Sequence, residues 1–335
     1  MTHEGHGATI VRSLPLLSVS ALGLAMLAGA LAYAFRGTLF GQSGPVFPVL
    51  TACVTAGSLF VGLVRGALAA RGRYLAAAVS LVGENAFRVV AAVGIAAAGG
   101  GAELFGLALV FGPLVCLVWV GSLRFARTAP GSALRSPLAL MSGVAGGSLL
   151  AQVVLTGAPV VLAVTGGEPA VATSLFVALA VWRAPYIVAL GVTPQITAYF
   201  TGLVAAGQVA RVVRIRAVLA VGVAVGAAAA ALVGANVMGS ILAAAFGHGV
   251  RMSDAALAAL GSGTVAALGN VVLMLLLLAL GRARSATLSW VAAVAVSTLW
   301  MVLSSMAPSP RVVVAFVLAQ ATAFTLLFLS SRQPR

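Results

Sequence analysis

Three charged side chains lie deep inside apolar stretches of the sequence. Glu84 and Arg88 are four residues apart, which places them on one face of a helix. Arg183 lies in the run VWRAPY, residues 181–186, with no acid within one helical turn. A charge at the centre of a membrane helix costs about 2.5–3.5 kcal/mol, so such residues pair with one another or line a watery cavity. Two hypotheses follow: Glu84 and Arg88 form an internal pair, or they face a cavity together with Arg183.

Uncharged polar residues in the same stretches are candidates for substrate binding. Asn85 is adjacent to Glu84, Gln152 and Thr156 share a helix face, and Asn270 lies in a later apolar run. Such residues bind a ligand or hydrogen-bond one membrane helix to another. We take Asn85 and Gln152 as binding candidates and leave the helix-bonding interpretation open for both.

The sign of these charges indicates what kind of molecule a cavity would accept. If Glu84, Arg88 and Arg183 all face it, the cavity carries a net positive charge and favours an anion, whereas an exporter of cationic drugs needs an acidic pocket. Glu84 is the one acid at the predicted membrane depth, which makes it the candidate for coupling transport to an ion. Pro185 follows Arg183 closely and predicts a kink, because proline removes a backbone hydrogen bond.

The composition predicts the medium in which these residues act. Of 335 residues, 62% are hydrophobic and 7% charged, with a mean hydropathy of +1.16. A soluble domain has about a quarter of its residues charged. The composition therefore excludes a soluble enzyme, a secreted disulfide scaffold and a disordered chain, and favours a polytopic helical membrane protein. The net charge of +14 is spread over short gaps between apolar runs, which indicates membrane orientation and not nucleic-acid binding.

About 20 apolar residues are needed to cross a bilayer, and the sequence offers about ten such segments. The predicted spans are residues 13–35, 45–69, 75–99, 103–123, 137–165, 169–193, 217–245, 254–280, 286–306 and 311–331. Fourteen Arg residues fall in alternate gaps, among them Arg65 with Arg71 and Arg73 and the groups near 124–135 and 211–216, and three fall in the others. Because cytoplasmic loops carry the excess of positive charge, this pattern predicts that both termini are cytoplasmic.

The longest polar gap, residues 124–136, divides the predicted spans into four and six. We therefore predict an N-terminal lobe, 1–123, a cytoplasmic linker, and a C-terminal lobe, 137–335. Similar turns, at Arg71–Arg73 and Arg282–Arg284, lie six spans apart. They suggest parallel repeats related by a pseudo-two-fold axis along the membrane normal, although coincidence explains them equally well. The linker contains no glycine-rich phosphate loop, and we expect no ATP-driven pump, cofactor or metal site in this chain.

The chain resembles the multidrug/oligosaccharidyl-lipid/polysaccharide exporter superfamily. Within it, the chain is similar to the polysaccharide (O-antigen type) flippases, in the form seen in high-GC actinobacteria. The segments that carry the resemblance are Arg71–Tyr74 followed by the span with Glu84 and Arg88, Leu175–Pro185, Thr193–Thr197 before the Arg211 cluster, and Phe246–Ser253 leading to Gly281-Arg282. The resemblance extends over nearly the whole chain.

This resemblance implies two six-helix lobes around a central cavity that opens alternately to either side. The predicted 4+6 split fits if the first two helices are absent. A misplaced start, a working truncation and a non-transporting accessory subunit remain as explanations. The resemblance further implies that Arg88 and Arg183 bind the phosphate of an anionic lipid-linked oligosaccharide or polysaccharide precursor of the cell envelope.

The expected protein is thus a flippase of the bacterial plasma (inner) membrane and not an enzyme. Its expected partners are membrane lipids and the glycosyltransferases or polymerase of the same pathway, with no nucleic acid. Three alternatives stay open: a multidrug or small-molecule antiporter, a membrane-embedded glycosyltransferase or acyltransferase, and a non-transporting subunit of an envelope-assembly complex. The enzyme alternative is weakened because the predicted external acids and His248 show no catalytic spacing.

Overall fold

The computed structural model describes the backbone of residues 4–123, 137–247 and 249–332 and the side chains of these residues except 4–17, 70, 137–145 and 194. Within these ranges every regular element is helical, so the prediction of an all-α chain is confirmed. The predicted linker 124–136 and His248 lie outside the described residues.

The helices pack into two compact units, Met1–Pro137 and Leu138–Arg335. The helices of the first unit are α1 Glu4–Ala34, α2 Arg36–Phe40, α3 Val46–Ala70, α4 Tyr74–Ala97 and α5 Ala102–Phe111, and α5 continues into the 3₁₀ segment Gly112–Leu123. The helices of the second unit are α6 Pro137–Val164, α7 Pro169–Trp182, α8 Ala184–Gly191, α9 Thr193–Ala205, α10 Val209–Val233, α11 Gly239–Phe246, α12 Asp254–Ala279, α13 Ala283–Leu303 and α14 Pro308–Ser330. A π-helical turn, Gly234–Met238, joins α10 to α11.

Helix α3 is the centre of the first unit, since α1, α4, α5 and the 3₁₀ segment all pack against it. Glycines permit the close approaches. A Cβ added at Gly57 would lie 2.7 Å from Pro113 of the 3₁₀ segment, and one at Gly106 would lie 2.6 Å from Leu50. Small residues allow membrane helices to come near enough for van der Waals packing to hold them. The side chains that α3 presents are thereby fixed relative to α4 and the 3₁₀ segment.

Helix α12 forms the core of the second unit. In its most apolar window 56% of the residues are buried, compared with 11% in the long helix formed by α10 and α11. Its glycines again let neighbours approach: an added Cβ would lie 2.6 Å from Trp182 at Gly261 and 2.5 Å from Phe316 at Gly263. Trp182 is the last residue of α7, so this contact places the end of α7 directly against α12.

Eight helices are long and apolar enough to cross a bilayer, counted over the described residues, or nine if the bent pair α7 and α8 is one span. The predicted first span coincides with α1, of which Ser18–Ala34 is a shorter apolar helix. Large apolar side chains point outward from the helices, among them Val90 (72% exposed), Val118 (79%) and Val302 (75%). Such a surface suits lipid contact, and the chain is a multi-pass membrane protein.

The structure differs from the predicted spans between α8 and α11. The stretch before predicted span 217–245 was expected to be a polar gap, but it contains α9, and α10 already begins at Val209. Arg211, Arg214 and Arg216 therefore lie in the helix and not in a loop. The reason is that Arg is a good helix former, so charge marks where the apolar run ends but does not end the helix.

The two similar turns have the same backbone geometry. Gly72 and Gly281 adopt positive φ angles of 69° and 73°. The following amides, of Arg73 and Arg282, bond to carbonyls five residues earlier, at 2.9 and 2.8 Å. This is the Schellman motif, in which glycine tolerates the left-handed conformation that ends a helix. Because the helices before Gly99, Gly166 and Gly207 end with the same bonds, the shared geometry is no special mark of a repeat.

Candidate functional site

The first candidate site is an ion network in the first unit, built around Glu84. The carboxylate of Glu84 is buried, and each oxygen contacts one arginine: Oε2 lies 2.5 Å from Nη2 of Arg65, and Oε1 lies 2.5 Å from Nη2 of Arg88. Arg65 comes from α3, whereas Glu84 and Arg88 are four residues apart on α4. The predicted pairing of Glu84 with Arg88 is therefore present, but it is one half of a three-residue cluster.

Arg65 corrects one prediction, because it had been grouped with the cytoplasmic arginines Arg71 and Arg73. It lies within α3, where its guanidinium makes further bonds to α4. Nε donates to Oγ of Ser80 at 3.0 Å, and Nη2 donates to the carbonyl of Ser80 at 3.1 Å. Ser80 is one turn before Glu84 on α4 and fully buried, so Arg65 bridges two successive turns of that helix.

The 3₁₀ segment leaves room for the second guanidinium. A Cβ added at Gly112 would lie 2.5 Å from Nε of Arg88 and 3.1 Å from its Cγ. Any larger residue at this position would require the Arg88 side chain to shift. Nε of Arg88 is buried and has no hydrogen-bond partner within the described part of the chain. Arg88 thus keeps donor capacity beyond its contact with Glu84.

The network carries a net charge of +1, since two guanidinium groups meet one carboxylate. About a quarter of each arginine side chain remains exposed, 24% for Arg65 and 25% for Arg88. The cluster can therefore hold its own charges together and still attract an anion. Asn85, a predicted binding residue, lies outside this network: it is exposed and donates to the carbonyl of Leu81 on its own helix.

The second candidate site is the break between α7 and α8 in the second unit, where Arg183 is the single residue between the two helices. The axes of α7 and α8 differ by 43°. Pro185, for which the sequence predicted a kink, lies in the first turn of α8 and cannot donate a backbone hydrogen bond. An arginine is thus placed at a break within a helix pair that is apolar enough to cross a membrane.

Arg183 is half-buried and has no counter-ion among the described residues. Its Nε is buried without a hydrogen-bond partner, and both ion pairs found in the described ranges belong to Glu84. The nearest polar neighbour on its own segment is Tyr186, one turn further along α8. Nε of Arg183 therefore retains its hydrogen-bonding capacity, while the placement of Arg183 in a cavity stays a prediction.

Gln152, the other predicted binding residue, holds Tyr186 in place. Its Nε2 donates to the hydroxyl of Tyr186 at 3.1 Å and so joins α6 to α8. Tyr186 is 3% exposed. Tyr186 was not among the predicted site residues, although its spacing of three from Arg183 places both residues on one face of the segment. Gln152 and Tyr186 together support the short helix that begins after Arg183.

Two other arginines have structural partners. Nη2 of Arg216 donates to the carbonyl of Phe328 at 2.8 Å, and its guanidinium lies 4.6 Å from the centre of that ring. Nη1 of Arg282 donates to the carbonyls of Ser330 and Arg332 at 2.9 and 2.7 Å. Both arginines donate to carbonyls in or just after the last turn of α14 and stabilise the negative end of its dipole. These contacts with the end of α14 therefore account for the positive charges of Arg216 and Arg282.

Within the described ranges, no group of three or more His, Cys, Asp and Glu side chains is placed to hold a metal ion. No family model, curated protein or solved structure matches the chain. The superfamily resemblance accordingly stays a prediction, and the function has to be argued from the two sites.

Proposed function

We propose that the chain is a flippase that moves an anionic lipid-linked oligosaccharide or polysaccharide precursor across the membrane by alternating access. The observation that carries this proposal is Arg183, a half-buried arginine at a break in an apolar span, without a counter-ion among the described residues. A phosphate or pyrophosphate group would supply the missing negative charge, because guanidinium binds phosphate through paired hydrogen bonds.

The network in the first unit supports the same choice of substrate charge. Arg65 and Arg88 together outweigh Glu84, and a partly exposed cluster with a net positive charge favours an anion over a cation. A multidrug antiporter for cationic compounds would require an acidic pocket, and both oxygens of Glu84 are engaged by arginines. We therefore prefer the flippase to the antiporter.

The role of Glu84 has two versions within this proposal. In the first, Glu84 holds Arg65 and Arg88 apart and in position for the substrate. In the second, Glu84 couples transport to a proton or sodium ion, which requires at least one arginine to leave the carboxylate during the cycle. The contact of each oxygen with its own arginine favours the first version.

The proposal places the chain in a bacterial inner membrane, beside the glycosyltransferases or polymerase that make and consume its substrate. It is tested with the full chain in proteoliposomes that contain a fluorescent lipid-linked oligosaccharide. The assay measures how much substrate becomes accessible to an enzyme in the outer medium. We expect Arg183→Ala to abolish translocation, Arg183→Lys to retain part of it, and Arg284→Ala, an exposed arginine of α13, to leave it unchanged.

Normal translocation by Arg183→Ala would contradict the proposal. A wild-type chain that moves no lipid-linked glycan but expels ethidium would favour the antiporter. A chain that does neither, while associating with the polymerase of the pathway, would favour the accessory subunit.

A further inference from the structure

A small cavity with a few polar groups in its lining lies inside the second unit. Its volume is about 10 Å³, and it is lined by residues of α6, α8, α12, α13 and α14. Four of these residues carry polar groups: Tyr186, Asn270, Trp290 and Gln320. All four are almost completely buried, with exposures of 3%, 1%, 2% and 0%.

Three polar atoms of these residues have no hydrogen-bond partner within the described part of the chain. They are Nε1 of Trp290, Nε2 of Gln320 and Oδ1 of Asn270. A buried polar atom without a partner costs about 1–3 kcal/mol. Three such atoms from residues that line one cavity indicate that the cavity holds a molecule that bonds to them.

The neighbouring hydrogen bonds determine which of these atoms are donors. Nδ2 of Asn270 donates to Oε1 of Gln320 at 2.9 Å and to the carbonyl of Gln320 at 3.1 Å. Both partners are acceptors, so the amide nitrogen of Asn270 faces them and its Oδ1 remains as a free acceptor. Because Oε1 of Gln320 is occupied, its Nε2 remains as a free donor. The residues that line the cavity thus have two free donors, on Trp290 and Gln320, and one free acceptor, on Asn270.

The geometry points to a binding site for one water molecule in this cavity. A volume of 10–15 Å³ on this measure admits about one water, which excludes a sugar, a phosphate or a drug. Water accepts two hydrogen bonds and donates two. It can accept from Trp290 and Gln320 and donate to Oδ1 of Asn270, which leaves its second hydrogen for the hydroxyl oxygen of Tyr186 in the same lining.

A monatomic ion fits these groups less well. A halide would accept from the two donors but would face the oxygen of Asn270, which repels it. A sodium ion would find that oxygen and the Tyr186 hydroxyl but would face two N–H groups. A water molecule satisfies donors and acceptor together, as buried waters do in most proteins.

The water joins α8 to the bundle of α12, α13 and α14. Tyr186 belongs to α8, the short helix after Arg183, whereas the other three polar residues belong to the bundle. A water-mediated contact can be made and broken with little loss, because water re-forms its bonds elsewhere. This site does not depend on the proposed transport function, since it concerns the packing of α8 alone.

The test is radiolytic hydroxyl-radical labelling of the full chain in nanodiscs, read by mass spectrometry. A bound water generates radicals next to its own ligands, so we expect oxidation of Trp290 although its side chain is only 2% exposed. In the variant Asn270→Leu/Gln320→Leu, which removes two ligands, labelling of Trp290 should fall to background. Labelling of Trp300, which lies on the same helix but does not line the cavity, should stay unchanged.

Absence of Trp290 oxidation in the wild-type chain would overturn the proposal, and this measurement is independent of how well the double variant folds. A density map of the wild-type chain gives the second measurement. One spherical peak within hydrogen-bond distance of Trp290 Nε1 and Asn270 Oδ1 supports the water. A peak that becomes an anomalous bromide signal after halide exchange would instead show an anion site and overturn it.

Discussion

The substitution Glu84→Gln tests whether the ion network supports the first unit. It keeps the shape of the side chain but removes the charge that Arg65 and Arg88 share. An exposed ion pair contributes about 0–1 kcal/mol, whereas loss of one partner from a buried pair costs about 3–5 kcal/mol. Each arginine keeps about a quarter of its side chain exposed. We therefore expect Glu84→Gln to lower the free energy of unfolding by about 3 kcal/mol, the lower end of the range for a buried pair.

A loss of this size is measurable as a change in thermal unfolding. At about 2–4 °C per kcal/mol, the unfolding midpoint should fall by about 6–12 °C. The buried thiol of Cys116 provides a local probe of the first unit. Because this thiol interacts with Arg65, Ser80 and Glu84, the midpoint of maleimide labelling against temperature is compared and not the labelling rate. The measurement is made in a Cys53→Ser background, which leaves Cys116 as the only thiol of the chain.

Two variants control for the chemistry of the substitution. Glu103→Gln removes an exposed acid in the first turn of α5. It should lower the free energy of unfolding by no more than about 1 kcal/mol, which corresponds to about 2–4 °C in the midpoint. Arg88→Gln in the Glu84→Gln background removes one uncompensated guanidinium and should recover part of the loss. If Glu84→Gln shifts the midpoint no more than Glu103→Gln does, the buried network contributes nothing to stability and our reasoning about it is refuted.

Three further substitutions probe the surroundings of the two sites. Gly112→Val should destabilise the chain by about 1–3 kcal/mol and lower substrate binding, because its side chain would displace Arg88; unchanged binding would contradict this placement. Arg216→Ala should lower the unfolding free energy by about 1.5–3 kcal/mol through loss of its bond to α14, whereas the exposed Arg214→Ala should stay within about 0.5 kcal/mol; equal effects would show that the bond contributes nothing. Gly261→Val should push the last side chain of α7 off α12 and reduce translocation more than it reduces abundance, as measured by transport per folded molecule; a parallel loss of both would indicate misfolding alone.

The local part of the candidate site could be predicted from the sequence. Glu84 and Arg88 are four residues apart, and helical geometry alone brings such residues together. The bend beside Arg183 follows equally from Pro185, whose missing N–H is a property of one residue. These are short-range effects, and the amino-acid order determines them without knowledge of the neighbouring helices.

The non-local part could not be predicted. Arg65 is 19 residues from Glu84 in sequence, and its partner depends on how α3 packs against α4. Counted by charge alone, Arg65 resembles the loop arginines that follow it. The same holds for Gln152 and Tyr186, 34 residues apart, whose hydrogen bond depends on the position of α8 relative to α6. Tertiary packing therefore decides which polar residues in a membrane helix are already satisfied.

Arg183 differs from the other partly buried arginines because it lacks a partner within the described part of its own unit. Arg65 and Arg88 are bound to a carboxylate, and Arg216 is bound to a helix carbonyl. In each case a partner within the same unit compensates part of the energy needed to place a guanidinium in an apolar environment. Arg183 has no such partner among the described residues, and it lies between two helices whose axes differ by 43°. Broken helices occur at membrane depth where they line a cavity or bind a ligand. The arginine at this bend, unpaired within the described ranges, is the observation on which the proposed binding of an anionic substrate rests.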